Sequence, residues 1–498
     1  MSFQNLVIEP ILKSIATYSN RQAFCINNQF YSYKQFGEAI TKIRNGIQSN
    51  ADEQQYIGLV TNDDIETYAS IFALWLEGKA YIPLHALQPA DRSAEVIEQV
   101  GIKTILDSEG KAEFKEVATI HTSTLQDYTS SLDDSSEISD DTDIYILFTS
   151  GTTGKPKGVT ITRKNIAAFT EAFWQTGISL DENDKCLQCF DLTFDVSVQS
   201  YLMPLLKGAC VYTIPTHKIK YTYTYELLED HQLTFGAMAP SMLRYLRPYF
   251  DEIRVPAMKT CILTAEASPA DLVQEWHECI PNAAIYDFYG PTEGTIYCTY
   301  YKVDFEKGIK SYNGLLSIGK PMDGFLSVII DEDKNIIKDG EKGELCIAGN
   351  QLTTGYWKNE TINNVAFFDL PYEGVSTRFY HTGDLCYFDE DGDIMYSGRI
   401  DLQAKIQGYR VELGEIEFHS RGFLNGINTV AIPFNGFSGN TEIALVIESE
   451  NTDVAALESY LRSQLPSYMI PSKYKLIAEF PINNSGKVDR NKLKTAIV

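Results

Sequence analysis

Short apolar runs alternate with longer amphipathic stretches over much of the chain. Residues 56–60 read as a strand and 65–77 as the helix after it; 261–264 and 270–279 repeat the pair. A strand-then-helix rhythm of this kind predicts an α/β fold with largely parallel sheets. Residues 122–143 are rich in Ser and Asp and nearly free of large aliphatics, so they predict a solvated connection before a strand over 144–148. A second joint falls near residue 400, where the chain leaves the polar turn Gly398-Arg399-Ile400-Asp401. The residues after it predict a small α/β unit, with strands over 429–433, 442–447 and 474–477 and a helix over 454–465. The expected organisation is therefore a core of 1–399 and a small domain of 400–498.

Composition narrows what such a molecule does. Of 498 residues, 44% are hydrophobic and 12% aromatic, as in folded rather than disordered chains. The net charge of −25 repels phosphate backbones and anionic lipid, so neither nucleic acid nor membrane is expected as the main partner. An anionic nucleotide would have to be held by local donors. The nine cysteines are scattered, and only Cys186 and Cys189 lie three apart. One such pair does not make a zinc site, and buried thiols of a reducing compartment are expected. The N-terminus lacks a signal-peptide core and no run has the length of a membrane span, which predicts a cytoplasmic protein.

The strongest local signal is the segment from Leu147 to Val159. A strand ends in Thr149-Ser150-Gly151-Thr152-Thr153-Gly154-Lys155-Pro156-Lys157, dense in glycine and hydroxyls. Glycines let backbone approach phosphate oxygens, hydroxyls donate, and lysine adds charge. The spacing is not that of a Walker A loop, and composition alone leaves an ordinary surface loop open. Further along come Tyr289-Gly290-Pro291-Thr292-Glu293, Gly343-Glu344-Leu345 with Gly355-Tyr356, Tyr380-His381-Thr382-Gly383-Asp384, Gly398-Arg399-Ile400-Asp401, Lys405-Ile406 with Gly408-Tyr409-Arg410-Val411-Glu412, and Asn484-Ser485-Gly486-Lys487-Val488-Asp489-Arg490.

These segments, in this order and over essentially the whole chain, resemble the adenylate-forming superfamily of acyl-CoA synthetases, luciferases and peptide-synthetase adenylation domains. The RVELGEIE and SGKVDR wording is closest to amino-acid adenylation enzymes, D-alanine:carrier-protein ligases among them. The resemblance implies a large N-terminal domain of sheets flanked by helices and a small mobile C-terminal α/β domain. It implies ATP and Mg²⁺ as cofactors. Thr149, Ser150, Gly151, Thr152, Thr153, Gly154 and Lys157 would then face phosphates. Asp287, Phe288, Tyr289 and Gly290 would line the adenine side, Thr292 would touch the α-phosphate and Glu293 would hold Mg²⁺. Asp384 would take the ribose, with Tyr396 and Arg399 near ribose and phosphates. Asp401 would be the hinge and Lys487 the catalytic lysine, while Lys405 would be either a support of the hinge or an ordinary solvated lysine. His381 finds no partner set in the sequence and is expected to be structural.

Asp195, in Phe194-Asp195-Val196-Ser197-Val198, matches the aspartate that pairs with a substrate α-ammonium in amino-acid adenylation domains. A plain acyl acid has no ammonium, and a buried unpaired carboxylate would be costly. The same resemblance places Val196, Gln199, Ala237, Ile262, Thr264, Phe288, Ile296 and Tyr297 around the substrate, with Lys487 on its carboxylate. That lining carries no second charge and two aromatics. It implies a small neutral amino acid; the combination of Asp195, Val196, Gln199 and Ile262 is similar to that of proline-activating domains, which puts L-proline first, then D-alanine or alanine. The chain ends eleven residues after Lys487 without a carrier segment, so the thiol acceptor is expected to be a separate phosphopantetheinyl carrier protein, or coenzyme A. An acyl- or aryl-acid:CoA ligase is the alternative.

Overall fold

The computed structural model describes residues 2–126, 132, 138–150, 155–338, 340–400, 403–482 and 488–497. The chain divides into two compact units, one of Met1–Ala86, Val100–Leu147 and Gly158–Ile400, the other of Leu87–Gln99, Phe148–Lys157 and Asp401–Val498.

Within the larger unit the strand-then-helix rhythm closes into a nine-stranded sheet. Six parallel strands lie side by side in the order Gln22–Ile26, Cys210–Thr213, Lys185–Gln188, Phe235–Met238, Thr260–Leu263 and Ala284–Tyr289. Antiparallel strands Gln29–Ser32 and Thr299–Lys302 flank this run. A seven-stranded sheet has Tyr56–Thr61 and Ala80–His85 at its centre. Two almost fully buried helices supply the core between these elements. Ile65–Leu76 (IETYASIFALWL) is capped by Asp64, whose side chain accepts from Thr67 N at 2.8 Å, and it ends at Gly78, whose φ of +67° suits glycine. Asp195–Leu205 is buried along its whole length. Tyr68, Phe72 and Trp75 of the first pack on Tyr201 of the second with ring centroids 5.7–6.5 Å apart. The first is apolar along most of its length, the second carries Asp195, Ser197, Gln199 and Ser200 into the interior, and every residue of both except Glu66 is buried.

The expectation of largely parallel sheets holds for 22–289 but not beyond. Residues 325–399 form an antiparallel sheet around the long strand Val375–Phe388, which pairs with Gly343–Gly349, Phe367–Tyr372 and Ile394–Arg399. Turns as short as Asp389–Asp393 leave no length for the crossover that parallel strands need. In the smaller unit, Thr429–Asn435 pairs antiparallel with Thr441–Glu448, which runs parallel to Lys473–Ile477. Helices Leu413–Phe423 and Val454–Gln464 cover this sheet through Ile416, Leu457 and Leu461. All nine cysteines are buried, and none is joined in a disulfide. Among the described residues no helix is long and apolar enough to cross a membrane.

Candidate active site

Open α/β sheets bind ligands outside the carboxyl ends of their parallel strands. Ala237 and Ile262 are register partners there, Thr264 follows the end of its strand, and Phe288 lies one strand further. The helix Asp195–Leu205 begins at the same rim. Asp195 opens it and is only 6% exposed. Burial raises its pKa to about 6; the Thr292 hydroxyl and the backbone N–H groups of Val196 and Ile296 counter this, while the charge of Glu293 adds to it. Its Oδ2 has no hydrogen-bond partner among the described residues. One turn along the helix, Gln199 is fully buried, and its Oε1 accepts from the Tyr297 hydroxyl at 3.3 Å. Phe288 lies against Tyr297 and Tyr300 with centroids 4.8 and 5.5 Å apart, and forms an aromatic wall.

The motif YGPTE is held by the segment after it. Thr292–Gly294 makes a single 3₁₀ turn, and then Thr295 and Ile296 both adopt positive φ, +57° and +74°. Two successive β-branched residues in the left-handed region are strained. The Thr295 hydroxyl donates to Gln351 O at 2.5 Å and Cys298 N donates to Tyr289 O at 2.8 Å, which hold the turn in place. This return passes so close to Gly290 that a Cβ there would lie 2.5 Å from Ile296 O and 2.7 Å from Tyr297 Cα. Gly290→Ala is accordingly expected to lower stability by about 1–3 kcal/mol, measured by urea unfolding; an unchanged midpoint would show that the 295–297 segment yields freely.

A second constellation joins strands of the antiparallel sheet. Asp384 and Arg399 are cross-strand partners, and Arg399 Nη1 donates to Asp384 Oδ1 at 3.0 Å and to Thr382 O at 2.9 Å. The Tyr289 hydroxyl donates to Asp384 Oδ2 at 2.5 Å. Burial and that carboxylate hold the phenol well above its usual pKa, so it stays a donor. Tyr396 lies half-buried on the Arg399 strand. Glu293 is buried and its Oε1 accepts from the Tyr356 hydroxyl at 2.5 Å. Asp287, also buried, accepts from the Ser268 hydroxyl.

His381 has the partners that the sequence did not reveal. Its Nδ1 lies 2.9 Å from Glu344 Oε2 and its ring stacks on Phe368. Glu344 Oε1 accepts from Gly383 N at 2.9 Å, so this pair braces the turn that presents Asp384. Glu344 and Tyr356 stand in contiguous motifs, but their roles depend on pairing across strands far apart in sequence.

In the smaller unit, the Thr149 hydroxyl donates to Lys157 O at 3.4 Å. The Ser150 hydroxyl donates to Arg410 O at 2.9 Å and accepts from Glu412 N at 3.0 Å, and Lys157 Nζ lies 3.2 Å from Glu412. Lys405 sits opposite Arg410 in the hairpin Gln403–Ile406/Tyr409–Glu412. Gly151, Thr152, Thr153, Gly154, Asp401 and Lys487 lie outside the described residues. In the larger unit, Asp195 thus stands with Val196, Gln199, Thr292, Ile296 and Tyr297, and Tyr289 stands with Asp384 and Arg399.

Comparison with known proteins agrees with this geometry. The family model described as "AMP-binding enzyme" matches residues 12–357. The chain is 30% identical to a D-alanine–D-alanyl carrier protein ligase of Bacillus velezensis, over 97% of this chain and 98% of that one. It is 31% identical to a linear gramicidin synthase of Brevibacillus parabrevis over 95% of its own length, but spans only 9% of that protein, and it spans 44% of tyrocidine synthase 1 of the same organism. In fold it matches the Vibrio cholerae adenylation domain AlmE, solved with glycyl-adenosine-5′-phosphate (TM-score 0.87, 23% identity, 98% of this chain and 97% of that one). It likewise matches an artificially fused adenylation–carrier di-domain from Klebsiella oxytoca, NpsA-ThdA (TM-score 0.83, 22% identity, 94% and 93%). With a family model over more than half its length and a relative matched end to end, the chain belongs to the AMP-binding enzyme family, as an adenylation enzyme related to peptide-synthetase adenylation domains and to D-alanine–D-alanyl carrier protein ligases.

Proposed function

We propose that this enzyme adenylates a small neutral amino acid with ATP and passes the aminoacyl group to the phosphopantetheine thiol of a separate carrier protein. The observation that carries the amino-acid part is Asp195: a buried carboxylate, with one oxygen unpartnered among the described residues and only the further negative charge of Glu293 beside it. An α-ammonium supplies the missing charge and hydrogen bond. A plain acyl or aryl acid supplies neither, which sets the CoA-ligase alternative behind. The carrier-protein part is supported by the ligase from Bacillus velezensis, matched over its full length.

In the first step a carboxylate oxygen of the amino acid bonds to the α-phosphorus of ATP and the bond to the β-phosphate oxygen breaks, releasing pyrophosphate. In the second, a thiol sulfur attacks the acyl carbon, its proton is lost, and AMP leaves. Asp195 orients the amino acid, and the bracing of Asp384 by Tyr289 and Arg399 suits a ribose contact. Glu293 has the hard oxygen donor that Mg²⁺ prefers, and Mg²⁺ would supply charge neutralisation at the phosphates. Lys487, by its motif, bridges the two anions in the first step; rotation about Asp401 then withdraws it. L-proline, then D-alanine or alanine, are the candidates that the pocket's resemblance names.

ATP–pyrophosphate exchange across all amino acids, in both D and L forms, tests this reading. Exchange only with charged or very large amino acids would refute the small neutral pocket. The titration of Asp195 adds a pH signature. The ammonium binds the ionised carboxylate, so below about pH 6 protonation competes with it. The KM for the amino acid should rise about tenfold per pH unit below that value while the KM for ATP stays nearly level. An amino-acid KM flat between pH 5 and 8 would dissociate Asp195 from the ammonium.

A further inference from the structure

Three side chains of the antiparallel sheet, a carboxylate, a thiol and an imidazole, converge on one point. Cys346 and His381 are direct cross-strand partners, and the pairing register shifts between Glu344 and Cys346, two residues apart on one strand. His381 Nδ1 lies 2.9 Å from Glu344 Oε2 and 3.8 Å from Cys346 Sγ, and the three ligand atoms all lie within 4.8 Å of one another. Hydrogen bonds do not satisfy this group. A protonated Nδ1 donates to Glu344 and leaves the thiol proton facing a donor; an unprotonated Nδ1 accepts from the thiol and turns a lone pair toward the carboxylate. A metal ion accepts from all three at once. Around a tetrahedral Zn²⁺, with bonds of about 2.0–2.3 Å, such ligand atoms stand about 3.3–3.6 Å apart, and the observed spacings straddle that range. A second group, Asp389, Asp391 and Asp393, differs in that Lys310 Nζ already sits among its carboxylates.

We propose that Glu344, Cys346 and His381 bind a thiophilic divalent cation of the zinc class, with water in the fourth position. Cys346 is fully buried beside Val328, Ala348 and Phe379, and Phe368 stacks on the His381 ring. Glu344 and His381 keep about a fifth of their side chains exposed, which gives the ion and its water a solvent edge. Thiolate and imidazole select zinc and its relatives over hard Mg²⁺. Burial and the charge of Glu344 keep Cys346 a neutral thiol when no ion is bound. On binding, the metal replaces the thiol proton, which passes to solvent, and His381 keeps its proton on Nε2. Glu344 Oε1 still accepts from Gly383 N, so the ion ties both strands to the turn before Asp384.

The experiment is titration of the full chain, stripped with a chelator, with Co²⁺ as a spectroscopic stand-in for zinc. The protein should take up one ion per chain, with a thiolate-to-cobalt charge-transfer band and the intense visible bands of a tetrahedral site, and Zn²⁺ should erase both. Zinc should also raise the thermal midpoint of the wild type. Cys346→Val places an apolar residue among apolar neighbours; it should lose the charge-transfer band and bind zinc about a hundredfold or more weakly. His381→Asn, at a partly exposed position, should weaken zinc to a similar degree. No uptake by the wild type, a cobalt complex without the thiolate band, or wild-type zinc affinity in either variant overturns the proposal. The wild-type spectrum decides whether a cysteine ligates even if a variant does not fold.

Discussion

Asp195→Asn should reduce amino-acid-dependent pyrophosphate exchange by a hundredfold or more in kcat/KM. The substitution keeps the shape of the side chain and removes its charge. The substrate ammonium would then enter a buried site with no counter-charge, and breaking a buried pair from one side typically costs about 3–5 kcal/mol. The free protein should not be destabilised, because burial already disfavours the charge on Asp195, as its raised pKa shows. A thermal midpoint equal to or above that of the wild type, together with lost exchange, assigns the residue to substrate. A lowered midpoint with near-normal exchange would make Asp195 a helix-start residue instead, although Phe194, not Asp195, stands at the cap position.

The second large effect is expected at Lys487. Joining a carboxylate to a phosphate brings two anions together, and an ammonium placed between them stabilises the charge that gathers in the transition state. Lys487→Ala should slow adenylate formation by about 10²–10³-fold. Nucleotide binding, followed by a fluorescent analogue, should change by no more than about threefold, since other groups hold the base and ribose. Thiol transfer from a supplied aminoacyl-adenylate should survive, because in the proposed mechanism the lysine serves only the first step. Near-normal adenylate formation in this variant would transfer the role to another cation.

The α/β elements were legible because their signals are local. The helix Ala270–Cys279 and the strands Thr429–Asn435 and Thr441–Glu448 follow apolar periodicity closely. The antiparallel sheet of residues 325–399 was less legible, since its strands are distinguished by their partners and not by their composition. The same division runs through the site. Asp195, Asp384 and Glu293 lie in contiguous motifs. Glu344 and His381 acquire their partnership from strand register, and Gly290 owes its identity to a backbone that returns six residues later. The conformations of Thr295 and Ile296 could not be anticipated, because β-branched residues avoid positive φ unless the surrounding structure imposes it.

The bracing of Asp384 bears on how the enzyme turns over. Each of its oxygens already has a donor, a phenol on one and a guanidinium on the other. A ribose that binds there trades places with or joins existing donors, and no bare carboxylate is covered or uncovered as nucleotide comes and goes. In the proposed reaction this would keep the affinity for the ribose of ATP modest and ease the departure of AMP. An enzyme that must release one nucleotide and admit another in every cycle gains speed from a contact of that kind.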